Sequence, residues 1–472
     1  MKFDLIIKNG TVVTAVDTFK GDIGIREGKI CAVGFKLESE GAEVIDAADR
    51  LVIPGGIDPH THFDMPFGGS YTADDFETGT KAAAFGGTTT IIDFAIQTRG
   101  HSVFEGLETW HKKAEGKACI DYGFHMIISD VEGERLKDLS RLVDEGVPSY
   151  KLFMAYPGVL YVDDGTHYRA MCEAAESGAV VCMHAENGIV IDEIIKQVVK
   201  DGKHAPKYHG LSRSARMEAE AVHRTMAIAE CAGAPIYIVH LTCAAALEEV
   251  VRSRQKGHPA FAETCAQYLY RSIEDYGEEG FEGAKYVMSP PLREKWNQDE
   301  LWKGLHLGNL QATGSDHAPF NFVGQKDMGK ECFTKIPNGA AVIENRVSLI
   351  YQGVVDGKIT LNKFVEITST GAAKIFGLFP GKGTIAPGSD ADLVIFNHNR
   401  KETIGVNNPV THHMNVDHNA FEGIEAHGVA EIVLSRGEVV VKDNKFLGKV
   451  GRGNFIKRGT FQGLKVEPYY NF

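Results

Sequence analysis

The sequence predicts an α/β protein: a (β/α)8 TIM barrel carrying a small β-sandwich domain formed by both chain termini. Three observations lead there. Between about residues 52 and 373, eight short apolar runs alternate with helix-period stretches. Such alternation implies parallel strands, and eight units imply a closed barrel. The helix-like stretches stop at glycine, and both ends of the chain carry strand–turn–strand signals instead.

The elements follow in order. Residues 4–8 and 11–13 are apolar runs around Asn9-Gly10, a hairpin signal, and residues 22–26 and 29–33 repeat it around Glu27-Gly28. The barrel strands are expected at 52–57, 88–94, 122–129, 149–154, 179–183, 235–239, 260–265 and 312–315. Helices are expected over 73–85 before Gly86-Gly87, over 168–177 before Gly178, and over 213–232 before Gly233. After residue 374, β character returns at 392–396, 431–435 and 438–442, the last two joined by Arg436-Gly437. The expected division is therefore residues 1–52 plus 375–458 for the β-sandwich, 53–374 for the barrel, and 459–472 for a C-terminal tail. That aromatic tail would either pack on a neighbouring subunit or form a loosely ordered end.

Bulk properties narrow the function. The chain has 472 residues and a formal charge of −13, with no basic stripe to hold phosphates. That excludes nucleic acid and anionic membranes as partners. No 18-residue apolar run occurs, so no membrane span is expected, and residues 1–8 are too short for the apolar region of a signal peptide. The eight cysteines form no Cys-x-x-Cys, and Cys182 and Cys265 lie in apolar strand-like runs. Buried free thiols in a reducing cytoplasm are the expectation.

Chemistry enters where the strands end. The first run leads into His60-Thr61-His62, whose two imidazoles share one side of an extended chain and can share a divalent cation. The fourth strand carries Lys151, the fifth ends at His184, the sixth at His240 and the eighth at Asp316. One histidine after a strand is usually structural. Four histidines and an aspartate at the same end of a barrel are a metal site, because C-terminal strand ends face one another across one mouth. A lysine ammonium beside a cation is repelled and, when buried, loses its proton easily. The free amine can add carbon dioxide, and the carbamate's two oxygens can each hold one metal. A barrel lysine paired with a carboxylate is the plainer alternative.

These residues carry a resemblance over nearly the whole chain. Its carriers are residues 60–69, 75–77, 86–94, 151–158, 183–187, 239–242, 289–293, 314–319 and 336–339. The chain resembles the cyclic amidohydrolases, most closely the D-hydantoinases and dihydropyrimidinases of bacteria. The resemblance implies two zinc ions: one held by His60, His62 and Asp316, the other by His184 and His240, bridged by carboxylated Lys151 and a hydroxide. It further implies hydrolysis of a cyclic amide, such as a 5-substituted hydantoin or a dihydropyrimidine, to an N-carbamoyl amino acid, and a homotetramer.

Roles follow from that likeness. A metal-bridging water has its pKa lowered toward neutrality and can attack the ring carbonyl. Asp316 would take its proton and pass it to the leaving nitrogen. Tyr156 matches the oxyanion donor, and Ser289 and Asn338 match positions that hold the ring's amide groups. Met65, Phe153 and Leu160 are candidates for an apolar wall, His317 for a partner of the metal ligands, and Asp64 and Arg293 for a structural pair. Dihydroorotase-like enzymes place an arginine two residues after the second histidine, and here Asp64 stands there. Allantoinase is a second rival. A non-catalytic scaffold relative would have lost metal ligands, and this chain keeps all six.

Overall fold

A computed structural model describes residues 2–38, 40–277 and 280–463. Eight strands form the barrel wall: Gly56–Thr61, Thr88–Ile96, Asp121–Ile127, Ser149–Phe153, Val180–His184, Ile236–Ile238, Ala260–Cys265 and Ala312–Gly314. Neighbours in sequence are neighbours in the sheet, and each ladder is parallel. All C-terminal ends therefore reach one rim. Side chains close the seam between the eighth strand and the first. Asp58 Oδ1 accepts from the backbone nitrogens of His60 at 3.1 Å and Ser315 at 3.0 Å. Ser315 Oγ donates to the His60 carbonyl at 3.0 Å.

The expected helix stops hold. Asp164–Ser177 ends at Gly178 with φ 77°, and Ala215–Ala232 ends at Gly233 with φ 68°. Both caps are left-handed, where a side chain would be strained and glycine is not. Phe76–Phe85 ends at Gly86-Gly87, where a Cβ on Gly86 would lie 2.3 Å from the Glu344 carbonyl oxygen.

The two chain ends meet in one sheet. Leu393–Thr403 pairs antiparallel with both Leu51–Pro54 and Glu425–Ser435, and Leu51–Pro54 runs parallel to Leu5–Val13. Buried Leu5, Ile7, Ile23, Ile25, Leu393 and Ile395 share one apolar cluster within it. The Glu27-Gly28 and Arg436-Gly437 turns form as expected, all four residues having positive φ. Two expectations are corrected. Asn9-Gly10 is no hairpin turn: Leu5–Val13 is one continuous strand with a bulge there, and the Asn9 nitrogen donates to Asp22 Oδ1. Gly10 lies so close to Val52 that a Cβ would sit 2.5 Å from its methyl group, so the pair serves a close crossing rather than a reversal. The apolar run 52–57 is also divided between two sheets: Leu51–Pro54 joins the terminal sheet, and the barrel begins at Gly56. The crossing falls at Gly55, where a Cβ would lie 2.0 Å from Thr89 Oγ1.

A buried cation ties the barrel to this sheet. Lys382 Nζ lies 2.9 Å from Asp121 at the start of the third barrel strand, and 3.0 and 2.6 Å from Asp390 and Asp392 beside Leu393–Thr403. The tail adds a strap. Ile456 and Asn454 hydrogen-bond the backbone of Tyr122, Gly459 that of Gly377 and Phe461 that of Gly178. Buried Arg458 donates to Ser149 Oγ at 2.7 Å and to the Phe376 carbonyl at 3.3 Å, below the barrel core. Up to residue 463 the tail thus lies on its own barrel, and residues 464–472 lie outside the described residues.

Lys382→Met should destabilise the protein by about 3–5 kcal/mol, because buried Asp392 loses its counter-ion, while Asp121 and half-buried Asp390 keep only Arg436 and Lys29. Denaturant unfolding measures it. A loss under about 1 kcal/mol would mean other contacts hold the junction.

Candidate metal centre

The strand ends bring the six expected ligands together. His60 lies at the end of the first strand with His62 just beyond, Lys151 lies within the fourth and His184 ends the fifth. His240 and Asp316 each stand two residues past their strands. Ligand atoms of His60, His240 and Asp316 all lie within 4.8 Å of one another. Asp316 Oδ1 is 3.2 Å from His60 Nε2 and 3.3 Å from His62 Nε2. The His184 and His240 rings are 4.6 Å apart, and the His240 and His60 rings 5.3 Å. All six side chains are buried.

The backbone is bent to achieve this. His240, Asp316 and Tyr156 have φ of 40°, 50° and 61°. Such conformations are uncommon outside glycine and cluster where function demands them.

The donor set fits a divalent cation. His60 Nε2, His62 Nδ1 and His240 Nδ1 are buried and make no hydrogen bond, and an orphaned buried nitrogen needs a partner of some kind. Burial holds His62 at a pKa of about 4, His240 well below its ordinary value and His184 below it. Neutral imidazole is the form that binds metal. Burial would also lower His60, but Asp316 and Glu263 raise it. Burial would raise Asp316, yet the imidazoles of His60, His62 and His240 hold it well below the usual carboxylate range.

Lys151 sits in an apolar setting. Its Nζ lies 4.7 and 5.0 Å from the Phe94 and Phe153 ring centres. The plainer alternative, a carboxylate partner, is not found: no ion pair to Lys151 occurs among the described residues. Burial lowers its pKa to about 8.

A pocket of about 490 Å³ opens over the cluster. Tyr156, Ser289 and Asn338 line it, with Met65, Phe153 and Leu160 as the expected apolar residues. Asn338 Nδ2 donates to Ser289 Oγ at 3.1 Å. Burial pushes the Tyr156 hydroxyl to about 12, so it stays protonated and able to donate. Phe67 also lines the pocket, against the Tyr156 ring at 5.4 Å, and was not anticipated.

Other expected residues serve differently. His317 Nε2 is 3.0 Å from Asp74, its Nδ1 accepts from the Val342 nitrogen, and its carbonyl accepts from the His62 nitrogen. It buckles the loops under the ligands. Asp64 and Arg293 do not pair. Arg293 donates to Glu218 at 2.6 Å and Thr242 at 2.8 Å, beneath the sixth strand end, whereas Asp64 lies 3.5 Å from Lys113. Two carboxylates were missed. Glu263 is fully buried and meets His60 Nδ1, the His240 nitrogen and the Tyr237 hydroxyl. Glu186 Oε2 is 2.8 Å from His184 Nε2. Holding one ring nitrogen fixes which other nitrogen is free. An acid within the apolar run 260–265 was the available signal.

Comparison with known proteins agrees with this geometry. The amidohydrolase family matches across residues 51–440. A D-hydantoinase of Geobacillus stearothermophilus is 52% identical over 98% of both chains. A D-hydantoinase of Streptomyces coelicolor is 51% identical, covering 97% of this chain and 99% of that one. The crystal structure of a dihydropyrimidinase from Brevibacillus agri superposes with a TM-score of 0.96 at 52% identity, over 98% of this chain and 100% of that one.

Glu263→Gln should weaken metal retention by about 10- to 100-fold, since His60 loses its orienting carboxylate. Competition with a chelator measures it, and unchanged affinity would leave Glu263 without that role.

Proposed function

This chain belongs to the amidohydrolase family, and from that premise we propose that it is a zinc-dependent D-hydantoinase. It opens the cyclic amide of 5-substituted hydantoins, and of dihydropyrimidines, to give N-carbamoyl amino acids. The observation that carries this reading is the convergence of six ligand side chains beneath a pocket with three polar groups and an apolar wall. The likeness to D-hydantoinases along nearly the whole chain supports it.

In this reading His60, His62 and Asp316 would hold one zinc ion and His184 and His240 a second, with a carbamate formed on Lys151 as a further ligand. When bound, the ions polarise a carbonyl and bring water's pKa toward neutrality. The chain's own residues do the rest. Asp316 is ionised at neutral pH, so it can accept a proton and return it to the leaving ring nitrogen. The protonated Tyr156 hydroxyl donates to the oxygen on which negative charge develops. Ser289 and Asn338 hold the ring's amide edge. Met65, Phe67, Phe153 and Leu160 receive the 5-substituent and keep water away from it.

We assign the barrel to residues 55–374, two residues later than the expected start at 53, and the β domain to 1–54 with 375–458. We further propose a homotetramer working in the cytoplasm, a setting consistent with eight free cysteines.

The test is turnover of 5-substituted hydantoins, dihydrouracil, allantoin and dihydroorotate by one preparation. Hydantoins should be opened fastest and dihydroorotate least; a preference for dihydroorotate or allantoin would overturn the reading. Lys151→Ala should lose both activity and bound zinc, and a variant with normal zinc and turnover would refute the bridge. Asp316→Asn should slow turnover by about 10²- to 10⁴-fold. A rate near wild type would remove Asp316 as proton carrier.

A further inference from the structure

The polar side of the pocket comes from two separate loops. Ser289 follows the seventh barrel strand and Asn338 follows the eighth. Neither belongs to a strand, so the barrel wall does not set their spacing. One buried amine reaches both loops. Lys326 Nζ donates to the Val287 carbonyl at 3.0 Å and to the Pro337 carbonyl at 3.1 Å. Val287 is two residues before Ser289, and Pro337 is the residue before Asn338. Lys326 is fully buried, and no carboxylate pairs with it among the described residues.

A buried lysine without a counter-ion is expensive and uncommon. Burial pulls its pKa down to about 7, and the amine donates to both carbonyls in either protonation state. Its two acceptors are not equivalent. The Val287 carbonyl also accepts from the Gly339 nitrogen at 3.0 Å, and the neighbouring Met288 carbonyl accepts from His209. The Ser289 loop is therefore held in other ways. The Pro337 carbonyl has no other hydrogen-bond donor among the described residues, and proline itself offers no N–H. On the entering side of Asn338 the Pro337 carbonyl thus depends on Lys326, while on the leaving side the Gly339 nitrogen is tied to the same Val287 carbonyl. Lys326 is anchored in turn: its nitrogen donates to the Asn321 carbonyl, and Gly329 packs so tightly that a Cβ there would lie 2.1 Å from Ile336.

We propose that Lys326 is a positioning residue for substrate, clamping the Pro337–Asn338 peptide to the Val287 loop so that Asn338 and Ser289 grip the ring amide at a fixed spacing. It touches no substrate itself. This rests on the hydantoinase reading, because that reading gives Ser289 and Asn338 their task.

The test compares wild type, Lys326→Met, Lys326→Arg, Asn338→Ala and the double variant Lys326→Met/Asn338→Ala, each with full zinc. Methionine keeps the apolar stem and removes the donor. KM for a hydantoin should rise about tenfold in Lys326→Met with kcat little changed, because the lost grip acts equally on substrate and transition state. Lys326→Arg, which keeps donors, should recover part of that KM. The double variant should be no worse than Asn338→Ala alone, since both remove the same contact. A wild-type KM in Lys326→Met, or additive losses in the double variant, would overturn the proposal. So would loss of zinc or of the fold, which would make Lys326 a purely structural residue. If wild type opened no hydantoin or dihydropyrimidine, the functional reading would have failed instead. The clamp is then read from a crystal structure of Lys326→Met: a displaced Asn338 supports it and an unmoved one refutes it.

Discussion

The seam between the first and eighth barrel strands is the constraint on which the site depends. Seven ladders of backbone hydrogen bonds hold the barrel wall, but the join beside His60 and Asp316 has no such ladder and is made by the Asp58 and Ser315 side chains together with a backbone bond from the His62 nitrogen to the His317 carbonyl. Asp58 is buried, and its second oxygen faces the Arg346 guanidinium at 3.6 Å. Burial raises the Asp58 pKa, and the nearby guanidinium works against that shift. Because Asp58 also accepts from the His60 nitrogen, one group sets both the closure and the entry of the first ligand. Asp316, one residue past Ser315, is thereby brought beside the two histidines of the first strand.

Above that seam, burial and bending act together. Parallel strands deliver side chains to one rim, and the left-handed turns at His240, Asp316 and Tyr156 point them inward over it. Burial keeps the His62, His184 and His240 imidazoles neutral and leaves the Lys151 amine readily deprotonated. Glu263 reaches across from the seventh strand to the His60 ring and the His240 backbone, so the two halves of the ligand set share one support. The polar pocket wall is organised from outside, by loops that the barrel does not dictate.

Much of this was legible in the sequence, for local reasons. The four histidines and Asp316 sit at or just past the ends of apolar runs, with Lys151 inside one, and the glycine stops at Gly178 and Gly233 are chemical requirements of a left-handed cap. What escaped was set by distance along the chain. Glu263 serves His60 from 203 positions away, Arg293 finds Glu218 rather than Asp64, and Lys326 acts through carbonyls, which every residue has. The run 52–57 gives no apolar mark of its change of sheet; only Gly55 does, through a neighbour in another strand. Asn9-Gly10 misled because the same conformational freedom serves a bulge as well as a turn.

The most direct measurement is anomalous X-ray diffraction at the zinc edge on crystals grown with zinc. Two peaks about 3.5–4 Å apart are expected, one against His60, His62 and Asp316, the other against His184 and His240, with carboxylate density on Lys151 Nζ between them. A bare Lys151 amine beside a single metal peak, or beside none, would contradict a two-metal hydrolase built on these six side chains.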